Sequence, residues 1–142
     1  MHHHTKDKGD LAVAKAHADL ASKGYLALFS ATEHAPFDLV AYRDGTFRRV
    51  QVKYRAMKNG AIEVDFRSGW TDRHGVHKIM LDKSGVELFC VFCPDTGECY
   101  YIKPSDHGQS AKLRIRPSRN GQRIGVLDAG DFLRVPELAP RT

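Results

Sequence analysis

The 142-residue sequence predicts an α+β domain with a mixed or antiparallel sheet. Three observations carry that expectation: one helical period near the N-terminus, two dipeptides of hairpin-turn type, and apolar runs of strand length over the remainder. In chain order, "KGDLAVAKAHADLASKGY" predicts an amphipathic helix over residues 9–23. Leu11, Ala14, Ala18 and Ala21 recur at helical spacing and predict the side facing a sheet, with Lys15, Asp19 and Lys23 toward water. Gly24 is the expected left-handed residue after the last turn. "YLALFSA", residues 25–31, reads as a first strand, followed by a polar turn through Glu33 and His34. Pro36 then introduces "FDLVAY", and Asp44-Gly45 is a type I′ signal returning the chain as "FRRVQVKYRAM". Asn59-Gly60 turns it again into residues 61–67, with Ile62, Val64 and Phe66 on one face. Residues 68–85, with Trp70, His74 and His77, are expected to be irregular or partly helical. "VELFCVF" and "CYYI" form a hairpin through "CPDTGE", and "KLRIR" is a short late strand.

Composition narrows the class. At 42% hydrophobic and 27% charged residues the chain matches ordinary soluble domains, and no apolar run reaches membrane-spanning length. Residues 8–135 read as one domain between a tag or disordered tail at 1–7, holding His2, His3 and His4, and a C-terminal tail at 136–142. No apolar leader core precedes the helix, and three cysteines make an odd set, so a cytoplasmic location is expected. Cys90 and Cys93 have a zinc-like spacing, but in a strand they face opposite sides, so buried strand cysteines are expected instead.

The net charge of +5 is not evenly spread. Residues 41–80 hold nine Lys/Arg against four Asp/Glu, and Lys112, Arg114, Arg116, Arg119 and Arg123 run together without an acid. Two basic blocks on a mixed domain suit a polyanion. Alternation puts Lys112, Arg114 and Arg116 on one strand face, for DNA contact or as a solvated edge.

The hairpin at 36–55 gathers the chemistry. A two-residue loop at Asp44-Gly45 pairs Arg43 with Thr46, which places Asp38 across from Gln51 and diagonal to Lys53, while Val50 and Val52 point into the core. A carboxylate and an amide oxygen suit a hard divalent cation. A neighbouring ammonium can position or activate water, or stabilise charge growing on a phosphate. The same three residues also fit an edge strand whose polar side chains face water.

At these residues the sequence resembles the PD-(D/E)XK nucleases, with Pro36 and Asp38 as the first part of the motif and Gln51, Val52 and Lys53 as the second, Gln standing in the acid position. More narrowly it resembles the small bacterial PD-(D/E)XK homing endonucleases of group I introns, through "KGDLA", "KGY", "PFDLVAY", "RVQVKY", "SGW" and "CVFCPDTGECYYIKP" in that order. The resemblance implies a restriction-endonuclease-like core, with the first helix packed on a central mixed β-sheet and extra β-hairpins. It implies a homodimer or homotetramer that cuts double-stranded DNA using Mg²⁺ or Mn²⁺. Asp38, Gln51 and the Val52 carbonyl would bind metal, Asp38, Gln51 and Lys53 would be catalytic, and Arg48, Arg49, Arg55, Lys58 and Arg67 would meet phosphates around the site. These nucleases carry a Glu in the first helix where this chain has Val13. A reduced site, an altered chain and a degenerate copy all remain open. So do three other readings: a catalytically impaired DNA-binding domain on the nuclease scaffold, a junction-resolving nuclease, and an interaction module with no nucleic-acid role, against which the basic blocks count.

Overall fold

The computed structural model describes residues 4–32, 35–72, 74–80, 85–117 and 125–137, with 67–72 and 75–80 described by their backbone. Among these residues one long helix, α1 (His4–Ser22), precedes ten strands: β1 (Leu26–Leu28), β2 (Leu39–Arg43), β3 (Thr46–Tyr54), β4 (Ala61–Asp65), β5 (Arg67–Asp72), β6 (Gly75–Met80), β7 (Leu88–Cys93), β8 (Glu98–Ile102), β9 (Ser110–Arg114) and β10 (Leu127–Asp128). The main sheet has the order β1-β2-β3-β7-β8, in which β3 and β7 run parallel and the other neighbours antiparallel. A second sheet has the order β10-β9-β4, and β5 pairs with β6 in a separate hairpin. One helix on a mixed sheet with extra hairpins is the architecture expected.

The helix lies on the main sheet by a different face from the one its spacing suggests. Ala12, Ala16 and Leu20 are buried, whereas Leu11 is 44% exposed and Ala14, Ala18 and Ala21 face water. An alanine-rich period has no strong preference between adjacent stripes, and the sheet side is chosen by longer-range contacts. Asp19 turns toward the sheet, accepting a hydrogen bond from the Tyr101 hydroxyl at 2.6 Å and one from Lys23 at 2.8 Å. Lys8, Lys15 and Lys23 lie 5.6, 5.8 and 5.7 Å from the ring centres of Tyr54, Phe92 and Tyr101. Their long stems cover apolar surface while the ammonium groups stay wet. The helix also begins five residues earlier than expected, at His4.

Its C-terminus follows the expected pattern. Gly24 has φ 85°, its N–H donates to the Ala21 carbonyl, and the Tyr25 N–H reaches back to Leu20 at 2.9 Å. That pair of bonds satisfies carbonyls the helix end would leave open, and Tyr25 and Leu20 share one apolar cluster.

Two cores cover the two faces of the main sheet. Leu39, Ala41, Val50, Leu88, Cys90 and Tyr101 pack with the helix on one side. Phe89, Val91, Cys93, Tyr100 and Ile102 pack with Ile62, Val64, Phe66 and Leu113 of the second sheet on the other. All six residues of β7 are buried because both faces of that strand are covered. Cys90 and Cys93 lie in different cores, and all three cysteines are free and buried, as the strand reading expects.

Residues 67–80 correct a second expectation. Arg67–Asp72 and Gly75–Met80 pair as the antiparallel strands β5 and β6, from Arg67–Met80 to Asp72–Gly75, where an irregular or partly helical stretch is expected over 68–85, of which 73 and 81–84 lie outside the described residues. The segment is polar and interrupted by Gly69, so its sequence lacks the apolar alternation by which a half-buried strand is recognised. Glu33, His34, Arg119 and Arg123 lie outside the described residues, as do the side chains of Trp70 and His77.

Candidate active site

The β2–β3 hairpin turns where its sequence says it should. Asp44 and Gly45 have φ of 52° and 80°, the two left-handed conformations of a type I′ turn, and Arg43 pairs with Thr46. The ladder keeps that register through Leu39–Val50. It stops one residue short of the expected Asp38–Gln51 pair. The Asp38 N–H donates to the Val50 carbonyl at 2.9 Å, and its carboxylate reaches further along β3 to accept the Val52 N–H at 2.7 Å. Asp38 is therefore fixed at the open end of the hairpin by its own side chain.

Strand alternation separates the two faces of β3. Val50 is buried under the helix, with Val52 and Tyr54 packed against the same cluster, so Gln51 and Lys53 project from the other face. The Gln51 Oε1 atom is buried and has no hydrogen-bond partner among the described residues. Burial holds the Lys53 amine below its ordinary range, Arg55 lowers it further, and Asp38 and Asp65 oppose both. One exposed carboxylate, one buried orphan oxygen and one partly desolvated amine thus share a neighbourhood.

Asp65 is an addition the sequence did not suggest. It ends β4, opposite Ser110, and only the packing of the second sheet on the first brings its charge within reach of Lys53. In sequence it is merely the outward residue of "AIEVDFR", and no local signal marks it.

The structure sorts the predicted cations. Arg48 is 7% exposed, lies on the helix side of β3 and donates to the Pro136 carbonyl, so it is not among the surface cations around the site. Its parity along β3 matches Val50, and that places it inside. Arg49 is on the expected face, but its Nε is 2.7 Å from the Glu87 carboxylate, whose other oxygen accepts the Arg49 N–H at 3.2 Å. Arg55 donates to the Tyr54 carbonyl at 2.8 Å, and Lys58 is exposed at the start of the 59–60 turn. Arg67 opens β5, and its side chain lies outside the described residues.

The alternation in "KLRIR" is borne out. Leu113 is buried and Ile115 packs beside it, while Lys112 and Arg116 are exposed and Arg114 is half-buried. The strand end is docked on the Asn59-Gly60 turn: Ile115 and Arg116 both donate to the Gly60 carbonyl at 2.9 Å, and Arg114 donates to Asn59 at 2.6 Å. Val13 is half-buried on α1, next to Ala12, which shares a cluster with Val52. No cluster of three or more His, Cys, Asp or Glu is present among the described residues.

A helix lies on a mixed sheet, with an acid just before its second strand and an amine near the end of its third. Residues 3–134 match the family model described as PD-(D/E)XK endonuclease, and the chain belongs to that family. Among solved structures the chain is similar to a bacterial homing endonuclease, I-Ssp6803I, with a TM-score of 0.72 and 21% identity over 90% of this chain and 87% of that one. A more remote likeness is to Hjc, a Holliday junction resolvase of Archaeoglobus fulgidus, with a TM-score of 0.47 and 15% identity over 75% of this chain and 84% of that one. No curated protein sequence matches. No helix among the described residues is long and apolar enough to cross a membrane.

Proposed function

We propose that this chain is a homing-type endonuclease that cuts double-stranded DNA by divalent-metal-assisted hydrolysis. The observation that carries the reading is the orphan Gln51 oxygen, buried on the face of β3 that also bears Lys53 and beside the end fixed by Asp38. A buried acceptor without a donor is costly, and a hard cation satisfies it. The donor set fits Mg²⁺ or Mn²⁺: the Asp38 carboxylate, the Gln51 amide oxygen and the Val52 carbonyl, all oxygen. Along a strand the N–H and C=O of one residue point the same way, so the Val52 carbonyl follows its N–H toward the edge where β2 has ended. Such an ion lowers the pKa of bound water and offsets charge on a phosphoryl oxygen.

The chain's own residues do the rest. Asp38 is held by the Val52 N–H and keeps its place as DNA arrives. Lys53, with its amine depressed by burial, gives up a proton more readily than a free lysine and can orient the attacking water or meet the scissile phosphate. Lys112, Arg114 and Arg116, with Arg55 and Lys58, supply the cationic surface for duplex backbone and base edges. Two-fold assembly as a homodimer or homotetramer would give one site per strand.

Val13 favours a second reading. A helix position that bears valine contributes no charge to a metal or water, so binding with weak cleavage is the specific rival. The test is incubation with Mg²⁺ and plasmid libraries carrying intron-insertion targets, beside synthetic four-way junctions. Discrete double-strand cuts support the proposal, binding without cuts selects the impaired domain, and preference for junctions selects a resolving nuclease.

A further inference from the structure

The endonuclease reading gives the three cysteines no part, yet the fold does not treat them alike. Cys90 and Cys93 of β7 are fully buried, one in the helix-side core and the other under the second sheet. Cys99 is on β8, the outer strand of the main sheet. There Gly97 and four residues of α1, Lys15, Ala18, Asp19 and Ser22, leave an open groove of about 260 Å³. Cys99 lines that groove and is 4% exposed, against 0% for the other two.

Register gives Cys99 a second thiol. Phe92 pairs with Cys99 and Cys90 with Tyr101, so Cys90 and Cys99 are diagonal neighbours on the helix-side face, in one cluster. A hydrogen bond from the Cys90 thiol holds Cys99 below the ordinary thiol range although burial opposes it, and the same bond pushes Cys90 up. Lys15, Asp19 and Lys23 of α1, with Glu98 and the Tyr101 hydroxyl of β8, complete the surroundings. The two acids oppose a thiolate. Asp19, however, already accepts hydrogen bonds from Tyr101 at 2.6 Å and Lys23 at 2.8 Å. Lys15 stands 5.8 Å from the ring of Phe92, the cross-strand partner of Cys99. A thiol that faces a groove with lysine at its wall, backed by a buried thiol donor, is placed to react.

We propose that Cys99 is a thiol modification site that takes small hydroperoxides from this groove. The thiolate sulfur attacks the terminal peroxide oxygen, so that an S–O bond forms and the O–O bond breaks. The alkoxide or hydroxide leaves and takes a proton from water. The sulfur is oxidised to a sulfenic acid, and the hydroperoxide is reduced to an alcohol or to water. Diagonal strand neighbours stand farther apart than a disulfide spans, so Cys90 supports the thiolate and does not close a bridge onto it. The step uses none of Asp38, Gln51 and Lys53, and it stands or falls independently of the endonuclease reading.

The test uses the full native chain, alkylated with iodoacetamide over a pH series and followed by peptide mass spectrometry, with Cys93 as internal control. Cys99 is expected to react at least about 10-fold faster than Cys93 or Cys90, with a midpoint below the ordinary thiol value. Dilute hydrogen peroxide then adds one oxygen to the Cys99 peptide, in a form that dimedone captures, and the label is lost in Cys99→Ser. Cys90→Ala should slow Cys99 about threefold or more and raise its midpoint, and Cys90→Ser, which keeps a donor, should restore both. The wild-type rates decide the site even where a variant does not fold. Equal rates at the three cysteines, or dimedone label on Cys93, overturn the proposal. A Cys90→Ala protein that reacts like wild type, or a Cys90–Cys99 disulfide as first product, overturns the role given to Cys90.

Discussion

Lys53 is a residue the fold holds at a cost. Its amine is shifted down mainly by burial and then by Arg55. The unfolded chain therefore binds the proton more tightly. Stability carries the full penalty below the folded pKa and rises with pH between that value and 10.5. Lys53→Met is expected to abolish cleavage, raise the melting temperature by about 2–5 °C, and flatten that rise in urea titrations across the alkaline range. Asp38→Asn should also abolish cleavage while leaving DNA binding within about threefold, since the loss is a ligand and not a phosphate contact. Val13→Glu is expected to raise Mg²⁺-dependent cleavage of one cognate duplex by about 10–100-fold at equal bound fraction, the scale of an added metal-supporting group. Equal rates would remove position 13 from the site. The gathering of Asp38, Gln51 and Lys53 at the open end of the hairpin was legible because a hairpin register is local and Asp44-Gly45 sets it. Asp65 and Glu87 were not, because one reaches Lys53 from another sheet and the other reaches Arg49 from 38 residues away.

At the scale of elements, turn chemistry was the clearest signal and helix orientation the weakest. Both Asp44-Gly45 and Asn59-Gly60 adopt paired left-handed conformations, but they do different work. A Cβ on Gly45 would meet nothing within 4 Å, whereas one on Gly60 would stand 3.2 Å from the Arg116 Cβ. Gly45→Ala should then cost about 1 kcal/mol from backbone strain alone. Gly60→Ala should cost about 1–2 kcal/mol more, because β9 must also shift, with urea midpoints as the measurement. The helix was found from its period, yet its buried stripe was misplaced. Leu20, Ala16 and Ala12 were in the same sequence, but among alanines only the tertiary partner distinguishes one stripe from the next. The β5–β6 hairpin was missed for a related reason: no apolar face of its own announces it.

For the whole molecule, charge decides how it meets a polyanion. Arg48 is buried against Pro136 and Arg49 is paired with Glu87, so among the expected cations whose side chains are described the proposal rests on Arg55, Lys58, Lys112, Arg114 and Arg116 as phosphate contacts. Five contacts per chain give a slope of log affinity against log salt of roughly −4.5. Lys112→Ala should reduce that slope by about 0.9. Arg48→Ala should leave it unchanged while lowering stability through the Pro136 carbonyl it abandons. Fluorescence anisotropy across a salt series reads both, and a flat dependence would remove the polyanion reading. The basic balance of residues 41–80 was visible in the sequence, but which of its arginines face outward was set by strand parity.

The parallel pairing of β3 with β7 has one further consequence. Because parallel neighbours need a crossover, the chain leaves the main sheet after β3 and returns to it at β7, and among the described residues β5–β6 forms a two-stranded ladder of its own between them. Lengthening such an excursion is cheap, since doubling a flexible loop costs only about 0.6 kcal/mol. The hairpin that positions Asp38, Gln51 and Lys53 is closed before the excursion begins. Insertions between β5 and β6 are therefore expected to leave the register of the β2–β3 hairpin as it is, so that on the endonuclease proposal target preference is free to drift while the chemistry is not.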